Sequence, residues 1–325
     1  MTDLPGRMDT ALAREELSRC GSAARGRESA VTIGKFDGVH RGHQFIVQRL
    51  LELAAAEGLA SVVVTFNPHP VTVLRPGTPI AYLCSLEERV ELLRGLGVDS
   101  VAILSFTSQL AQLSARDFVS LLREQLGMRL LLVGPDFALG RNREGDIERL
   151  RALGDEHGYR LEVAPMLTEP DRSGEKVGSR AIRAALAQGQ MGAVARLLGR
   201  PFSLRGPVVP GAARGKALGF PTANLGISPD LALPALGIYV TRAYLCGNAY
   251  PSVTSIGVRP TFAPQARPTV EAYILDFEDD LYGQEMSLEV LHRLRDEEEF
   301  ASVEDLVEAI KGDVEAGREY FRAQG

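Results

Sequence analysis

The sequence predicts an α/β N-terminal domain on a parallel sheet, followed by a C-terminal antiparallel β-barrel with a terminal helix. Three observations lead there. From Val31 to about Val163, short β-branched runs alternate with longer amphipathic ones, as β-α-β units require. After residue 200, strand-like runs succeed one another without helices between them and are broken by Pro and Gly. The chain then closes on a stretch with apolar residues at helical spacing.

In the first half, strands are expected at "VTIGKF", "SVVVTF", "SVAILSF" and "RLLLVG". Between them, "HQFIVQRLLELAAAEG", "LEERVELLRGLG" and "SARDFVSLLREQLG" have helical periodicity and end in glycine, where a left-handed C-cap belongs. Ser114 is the expected N-cap of the third, with Asp117 three residues on. Two short helical patterns, "SRAIRAALAQG" and "MGAVARLLG", lead to a change of texture, so the expected domains are 1–188 and 189–325. In the second half, strands are expected at "FSLRGPVV", "GIYVTRAYL", "SVTSIGV", "TVEAYILDF" and "EMSLEVLHRL". The final helix starts at Ser302, and Val303, Leu306, Val307, Ile310 and Val314 form its stripe against the barrel.

Composition excludes several classes. No apolar run approaches the roughly 20 residues of a membrane helix, so no membrane partner is expected. The formal net charge of -6 falls entirely after residue 199, and no basic face points to nucleic acid. The first 28 residues lack the apolar core of a secretory signal and are expected to be frayed. Cys20, Cys84 and Cys246 have no CxxC spacing, which argues against a disulfide framework and a cysteine zinc site and fits a reducing cytoplasm. A homo-oligomer stays open.

The stretch "GKFDGVHRGH" places two histidines among glycines between a strand and a helix. Gly34, Gly38 and Gly42 permit a tight turn and close approach of a ligand, and the helix start directs unpaired N–H groups to the same place. Such a place attracts phosphate. His40 and His43 can share one face and donate hydrogen bonds to oxyanions as charge develops, which suits transfer at an α-phosphate. The plain alternative is that one histidine caps the helix and the other packs. A zinc reading would add His69 of "FNPHP", but it has no HExxH glutamate and no cysteine behind it.

A second candidate lies in "GKALGFPTANL". It is no P-loop, because Pro210 and Ala217 stand where a Walker loop needs Gly and Ser or Thr. Thr222 and Asn224 alternate on an extended segment after Pro221, so a hydroxyl and an amide oxygen can face one ligand, and Mg²⁺ suits them. Glu271 begins an alternating run where a carboxylate could accept a proton; otherwise it is an exposed strand residue. "DEEE" at 296–299 reads as a solvated charge run.

"GKFDGVHRGH" resembles the adenylyltransferase module of prokaryotic bifunctional riboflavin kinase/FAD synthetases, a Rossmann-like fold of the HxGH nucleotidylyltransferase superfamily. "TFNPHP" at 65–70, "GPDFALGRNREGD" at 134–146 and "GSRAIRAALAQG" at 178–189 follow in that family's order. The resemblance implies that His40 and His43 hold the ATP phosphates while Gly34, Phe36, Asp37 and Gly38 shape the loop. It implies that Asn67, His69 and Asp136 bind the flavin substrate, and that Ser179 and Arg183 bind the triphosphate. Gly178 and Arg180 stand where the family has hydroxyl residues.

"GKALGFPTANL", "LGIYV", "SIGVRPTF", "VEAYILDF", "DLYGQ" and "LRDEEEF" are similar, in order, to the riboflavin kinase module of the same family, from about 200 to 313. The resemblance implies a six-stranded barrel in which Thr222 and Asn224 hold Mg-ATP and Glu271 is the general base on the ribityl hydroxyl. It also implies that Gly215 and Lys216 lie over the phosphates and that Arg295 and Phe300 lie near the flavin. Ser255 stands where that family often has Asn. The expected activity is phosphorylation of riboflavin to FMN and adenylylation of FMN to FAD, with Mg²⁺ as cofactor and ATP as co-substrate. The alternatives are a different nucleotidylyltransferase, a kinase with an impaired adenylyltransferase site, and a flavin-binding regulator.

Overall fold

The computed structural model describes residues 10–23, 26–167, 177–211, 215, 218–258 and 268–324. The chain forms two compact units. One comprises Met1–Ile80 with Ser85–Gly178, the other Ala81–Cys84 with Ser179–Gly325.

The first unit runs α1 (Ala11–Ala23), β1 (Ser29–Ile33), α2 (Arg41–Glu57), β2 (Ala60–Asn67), α3 (Pro70–Leu74), α4 (Leu86–Gly95), β3 (Ser100–Ser105), α5 (Ser108–Ala111), α6 (Ala115–Leu126), β4 (Met128–Val133), α7 (Ile147–His157) and β5 (Arg160–Val163). Its sheet has the order β3-β2-β1-β4-β5, with every neighbouring pair parallel. Both faces are covered. Val31, Val62 and Leu131 pack with Leu17, Leu121 and Leu122 on one side. Ala30, Val63 and Leu130 pack with Val47, Leu50 and Leu93 on the other. The near-continuous apolar strands follow from burial on two faces. Winding runs outward from β1 in one direction and from β4 in the other, so the crevice beyond their C-terminal ends is where ligands bind in this architecture.

Local signals hold where the chemistry is strong. The Ser114 hydroxyl accepts from Asp117 N at 3.1 Å and caps α6, and Gly58 and Gly127 end α2 and α6 in the left-handed region. Three readings need correction. The first expected strand stops at Ile33 instead of Phe36, because Phe36 itself turns left-handed. Elements α7 and β5 carry no clear signal, since Arg160 and Glu162 give a four-residue edge strand a polar face.

The N-terminal segment is the third. It is not frayed from Ala11 on: Ala13, Leu17 and Cys20 form a thin apolar stripe that composition averages away. Leu17 is fully buried, and the Glu16 carboxylate accepts from Ser105 N at 2.9 Å and Ser105 Oγ at 2.6 Å. Leu17→Ala should therefore cost about 2–5 kcal/mol in urea unfolding of this unit, where a frayed segment would cost nothing.

The second unit contains α8 (Ser179–Ala187), α9 (Met191–Leu198), β6 (Phe202–Val209), β7 (Ala223–Leu225), β8 (Gly237–Leu245), β9 (Asn248–Val258), β10 (Pro268–Ile274), β11 (Glu285–Arg295) and α10 (Val303–Arg322). The six strands close a barrel in the order β10-β7-β6-β11-β8-β9. Alternate residues such as Leu204, Tyr239, Ile256, Val270 and Leu288 fill it. Thr241 Oγ1 lies 2.7 Å from both Ser252 Oγ and Thr254 Oγ1, which satisfies hydroxyls enclosed with the apolar filling.

Helix α10 is capped by Ser302, which accepts from Asp305 N at 3.1 Å. Its expected stripe is overdrawn at the start, where Val303 is 57% exposed. The later turns make the contact: a Cβ on Gly317 would lie 2.7 Å from Val253 Cγ2 of β9.

Candidate active sites

In the first unit, β1 delivers the chain into a turn at the sheet's crevice. Gly34 N still donates to Val64 O at 3.0 Å, which extends the parallel pairing by one residue. Phe36 (φ 49°), Gly38 (φ 77°) and Val39 (φ 39°) then adopt positive φ. For a β-branched valine this is strained, at about 1–3 kcal/mol, and burial of Phe36 and Val39 holds it. Asp37 and Gly38 are buried in the same turn. The turn ends at His40, the N-cap of α2.

The His40 ring Nδ1 accepts from His43 N at 3.4 Å, so in the neutral ring Nε2 carries the proton. The His40 and His43 rings stack with centroids 3.6 Å apart at 17°. Phe36 closes the other side of His43 at 5.0 Å. Gly42 lies close beneath this stack: a Cβ there would lie 3.2 Å from two atoms of the His40 ring. Burial first, and then electrostatic interaction with His40, Lys35 and Arg89, hold the His43 imidazole well below its ordinary 6.5. His43 is therefore neutral at pH 7. One histidine does cap the helix, as the plain alternative has it, and capping is what fixes its tautomer.

The neighbouring strand ends carry the other expected residues of this unit. Asn67 ends β2, the Asn67-Pro68 peptide is cis, and His69 caps α3 by accepting from Val71 N at 3.2 Å. Asp136 lies exposed in the turn after β4, where its carbonyl accepts from Arg143 Nη2 at 3.1 Å. That loop is closed by the Leu139–Gly145 bridge and is seated on α6, with Glu144 Oε1 accepting from Ala115 N at 2.9 Å. Among the described residues, no three of His, Cys, Asp or Glu assemble as a metal site.

Ser179 and Arg183 open α8 in the second unit, and Arg183 Nε donates to Ala81 O at 2.6 Å. Arg183 lines a cavity of about 530 Å³ together with Asn224, Thr269, Pro210, Pro229 and Pro268. Barrel register aligns the residues on either side of Glu271. Glu271 of β10 pairs with Asn224 of β7 on one side and Ser255 of β9 on the other, so the three side chains share one face in a row. Asn224 is 9% exposed, and a Cβ on Gly211 would lie 2.2 Å from its Nδ2, so only glycine lets the backbone pass there. Thr269 Oγ1 donates to Glu271 Oε1 at 3.4 Å. Thr222 immediately precedes β7, two residues from Asn224, and the backbone of Gly215 lies against its hydroxyl. Lys216 lies outside the described residues.

Arg295 makes a two-pronged ion pair with Asp313 of α10, at 2.9 and 2.8 Å, and stands 5.7 Å over the Phe300 ring. The hydrogen bonds it donates to Asp313 raise the Arg295 pKa. The acidic run 296–299 is not wholly a solvated face: a Glu297 carboxylate oxygen accepts from Val258 N at 3.4 Å and covers Gly257, on the same face as Thr269 and Glu271. Sequence reasoning missed Gly211 as a contact of Asn224, and missed Thr65 and Arg89 beside the histidines. The only signal for Arg89 was a charge at a core position of a helix, four residues before buried Leu93.

Comparison with known proteins finds two families, one in each half of the chain. The FAD synthetase family matches residues 22–181 and the riboflavin kinase family matches residues 198–321. A bifunctional riboflavin kinase/FMN adenylyltransferase of Pseudomonas fluorescens is 40% identical over 293 residues, covering 90% of this chain and 93% of that protein. Its counterpart in Escherichia coli (strain K12) is 36% identical over 293 residues, covering 90% and 92%. A crystal structure described as a macrolide-efflux protein from Streptococcus pneumoniae has a TM-score of 0.81 at 32% identity, covering 90% of this chain and 94% of that one. Among the described residues of this chain, no helix is long and apolar enough to cross a membrane. The chain belongs to the bifunctional riboflavin kinase/FMN adenylyltransferase family.

Proposed function

We infer that this chain phosphorylates riboflavin to FMN with ATP in its barrel unit and adenylylates FMN to FAD in its α/β unit, releasing pyrophosphate. The observation that carries the second activity is the stacked His40–His43 pair at the start of α2, at the crevice of the parallel sheet. In that reaction an FMN phosphate oxygen bonds to the α-phosphorus of ATP while the bond to the bridging oxygen of pyrophosphate breaks. His40, through Nε2–H, His43 as a neutral donor and the first N–H groups of α2 receive the charge on the phosphate oxygens. We assign Gly34, Phe36, Asp37 and Gly38 to the shape of this turn and Ser179 and Arg183 to the triphosphate. Asn67, His69 and Asp136 are assigned to the flavin.

In the barrel, Glu271 accepts the proton of the ribityl hydroxyl as its oxygen bonds to the γ-phosphorus and ADP leaves. The row Asn224–Glu271–Ser255 supports this role, because it sets a carboxylate beside neutral oxygen donors on one face. Hard oxygen donors of this kind fit Mg²⁺, which Thr222 and Asn224 would hold and which would neutralise phosphate charge. Gly215 and Lys216 are assigned to the nucleotide loop, and Arg295 and Phe300 to the flavin. Cys20, Cys84 and Cys246 form no disulfide with one another, which supports a reducing cytoplasm as the compartment.

The test is a time course with riboflavin, ATP and Mg²⁺, with the flavins separated by chromatography. FMN followed by FAD is the expected result. FMN that accumulates without FAD would mean that Gly178 and Arg180 have cost the second activity, and absence of both products from folded protein would overturn the assignment.

A further inference from the structure

Arg89 is 2% exposed, inside the first unit, on the helix that packs against the histidine turn. A guanidinium leaves water at a cost of several kcal/mol unless acceptors hold it. Its acceptors here include the end of β2: Nη1 donates to Phe66 O at 3.0 Å and reaches Thr65 Oγ1 at 3.5 Å. The Thr65 hydroxyl in turn donates to Lys35 O at 3.1 Å, in the turn that follows β1. One buried cation thus ties together two adjacent strand ends. The first leads within a few residues to His40 and His43, the second to Asn67, Pro68 and His69.

We propose that Arg89 is the positioning residue of the adenylyl-transfer centre, fixing the histidine turn and the Asn67–His69 turn relative to each other through Phe66, Thr65 and Lys35. The proposal rests on the adenylyl-transfer reading given above. Its charge has a second effect. His43 faces His40 from its own helix, Lys35 and the Phe36 ring from the turn after β1, which also holds the Asp37 carboxyl, and Arg89 from α4. The cation adds to burial in keeping His43 neutral. His43 thereby keeps one N–H to donate and one lone pair.

Two full-length variants separate the effects. Arg89→Met removes both fork and charge, and Arg89→Lys keeps a charge without the fork. FAD formation from FMN and ATP is followed against pH, with urea unfolding of the α/β unit as the check on its folding and riboflavin phosphorylation by the same protein as the check on the barrel. For Arg89→Met, kcat/KM for FAD formation should fall on the order of 10²-fold, as for a displacement of about 1 Å at reacting groups. The acid limb of its pH profile should move to higher pH, because losing a neighbouring cation raises the His43 pKa and the imidazolium forms sooner on acidification. Arg89→Lys should lose rate by a smaller factor and keep the wild-type acid limb.

Titration of the His43 ring by NMR reads the same shift without turnover. If the wild type makes no FAD, the adenylyl-transfer reading fails, while an upward shift of His43 in Arg89→Met still supports the coupling. Wild-type kinetics and an unmoved His43 titration in Arg89→Met would overturn the proposal. So would an equal loss of both activities in the two variants.

Discussion

Replacing His40 by alanine is expected to lower FAD formation from FMN and ATP by at least about 10²-fold while leaving riboflavin phosphorylation within about twofold of wild type. The size follows from what is lost. His40 caps α2, its Nδ1 accepts from His43 N, and its Nε2–H is the group assigned to a phosphate oxygen. Alanine removes that donor, the cap and the ring on which His43 stacks at 3.6 Å. The cap alone is worth roughly 1 kcal/mol of stability, too little to unfold the unit. Urea unfolding of the α/β unit distinguishes a lost donor from a lost fold, since the barrel is a separate compact unit whose activity reports only on its own closed sheet. Equal loss of both activities would count against the assignment of His40 to one reaction.

The converse change is Glu271→Gln. It should reduce riboflavin phosphorylation by about 10²- to 10⁴-fold, the range a positioned general base supplies, and leave FAD formation intact when FMN is provided. Glutamine keeps the size and the strand register with Asn224 and Ser255, so barrel closure is undisturbed. What disappears is the acceptor for the ribityl proton. Rate assays with riboflavin and with FMN, each with excess ATP, make the comparison. Unchanged phosphorylation would move the base elsewhere in the barrel.

Much of this was legible in the sequence because the determining interactions are local. The parallel sheet follows from β-branched runs separated by amphipathic ones, and the caps at Ser114 and Ser302 follow from their own three-residue spacing. The glycine frame around His40 was readable because Gly42 and Gly38 meet steric limits set within the turn. The alignment of Glu271 with Asn224 was not, since it depends on which strands become neighbours in a closed barrel, and 46 positions separate the two residues. Arg89 was hidden for the same reason: its acceptors lie on β2 and its electrostatic target on α2, both remote in sequence. The N-terminal helix was lost to averaging, because one leucine and two small residues make its contact.

The most direct test of two independent centres on one chain is to mix the His40→Ala and Glu271→Gln proteins with riboflavin, ATP and Mg²⁺ and follow the flavins by chromatography. FMN alone is expected from the first variant, neither product from the second, and FAD from the mixture. A mixture that yields no FAD, from two proteins that each retain their own half-reaction, would contradict two independent centres.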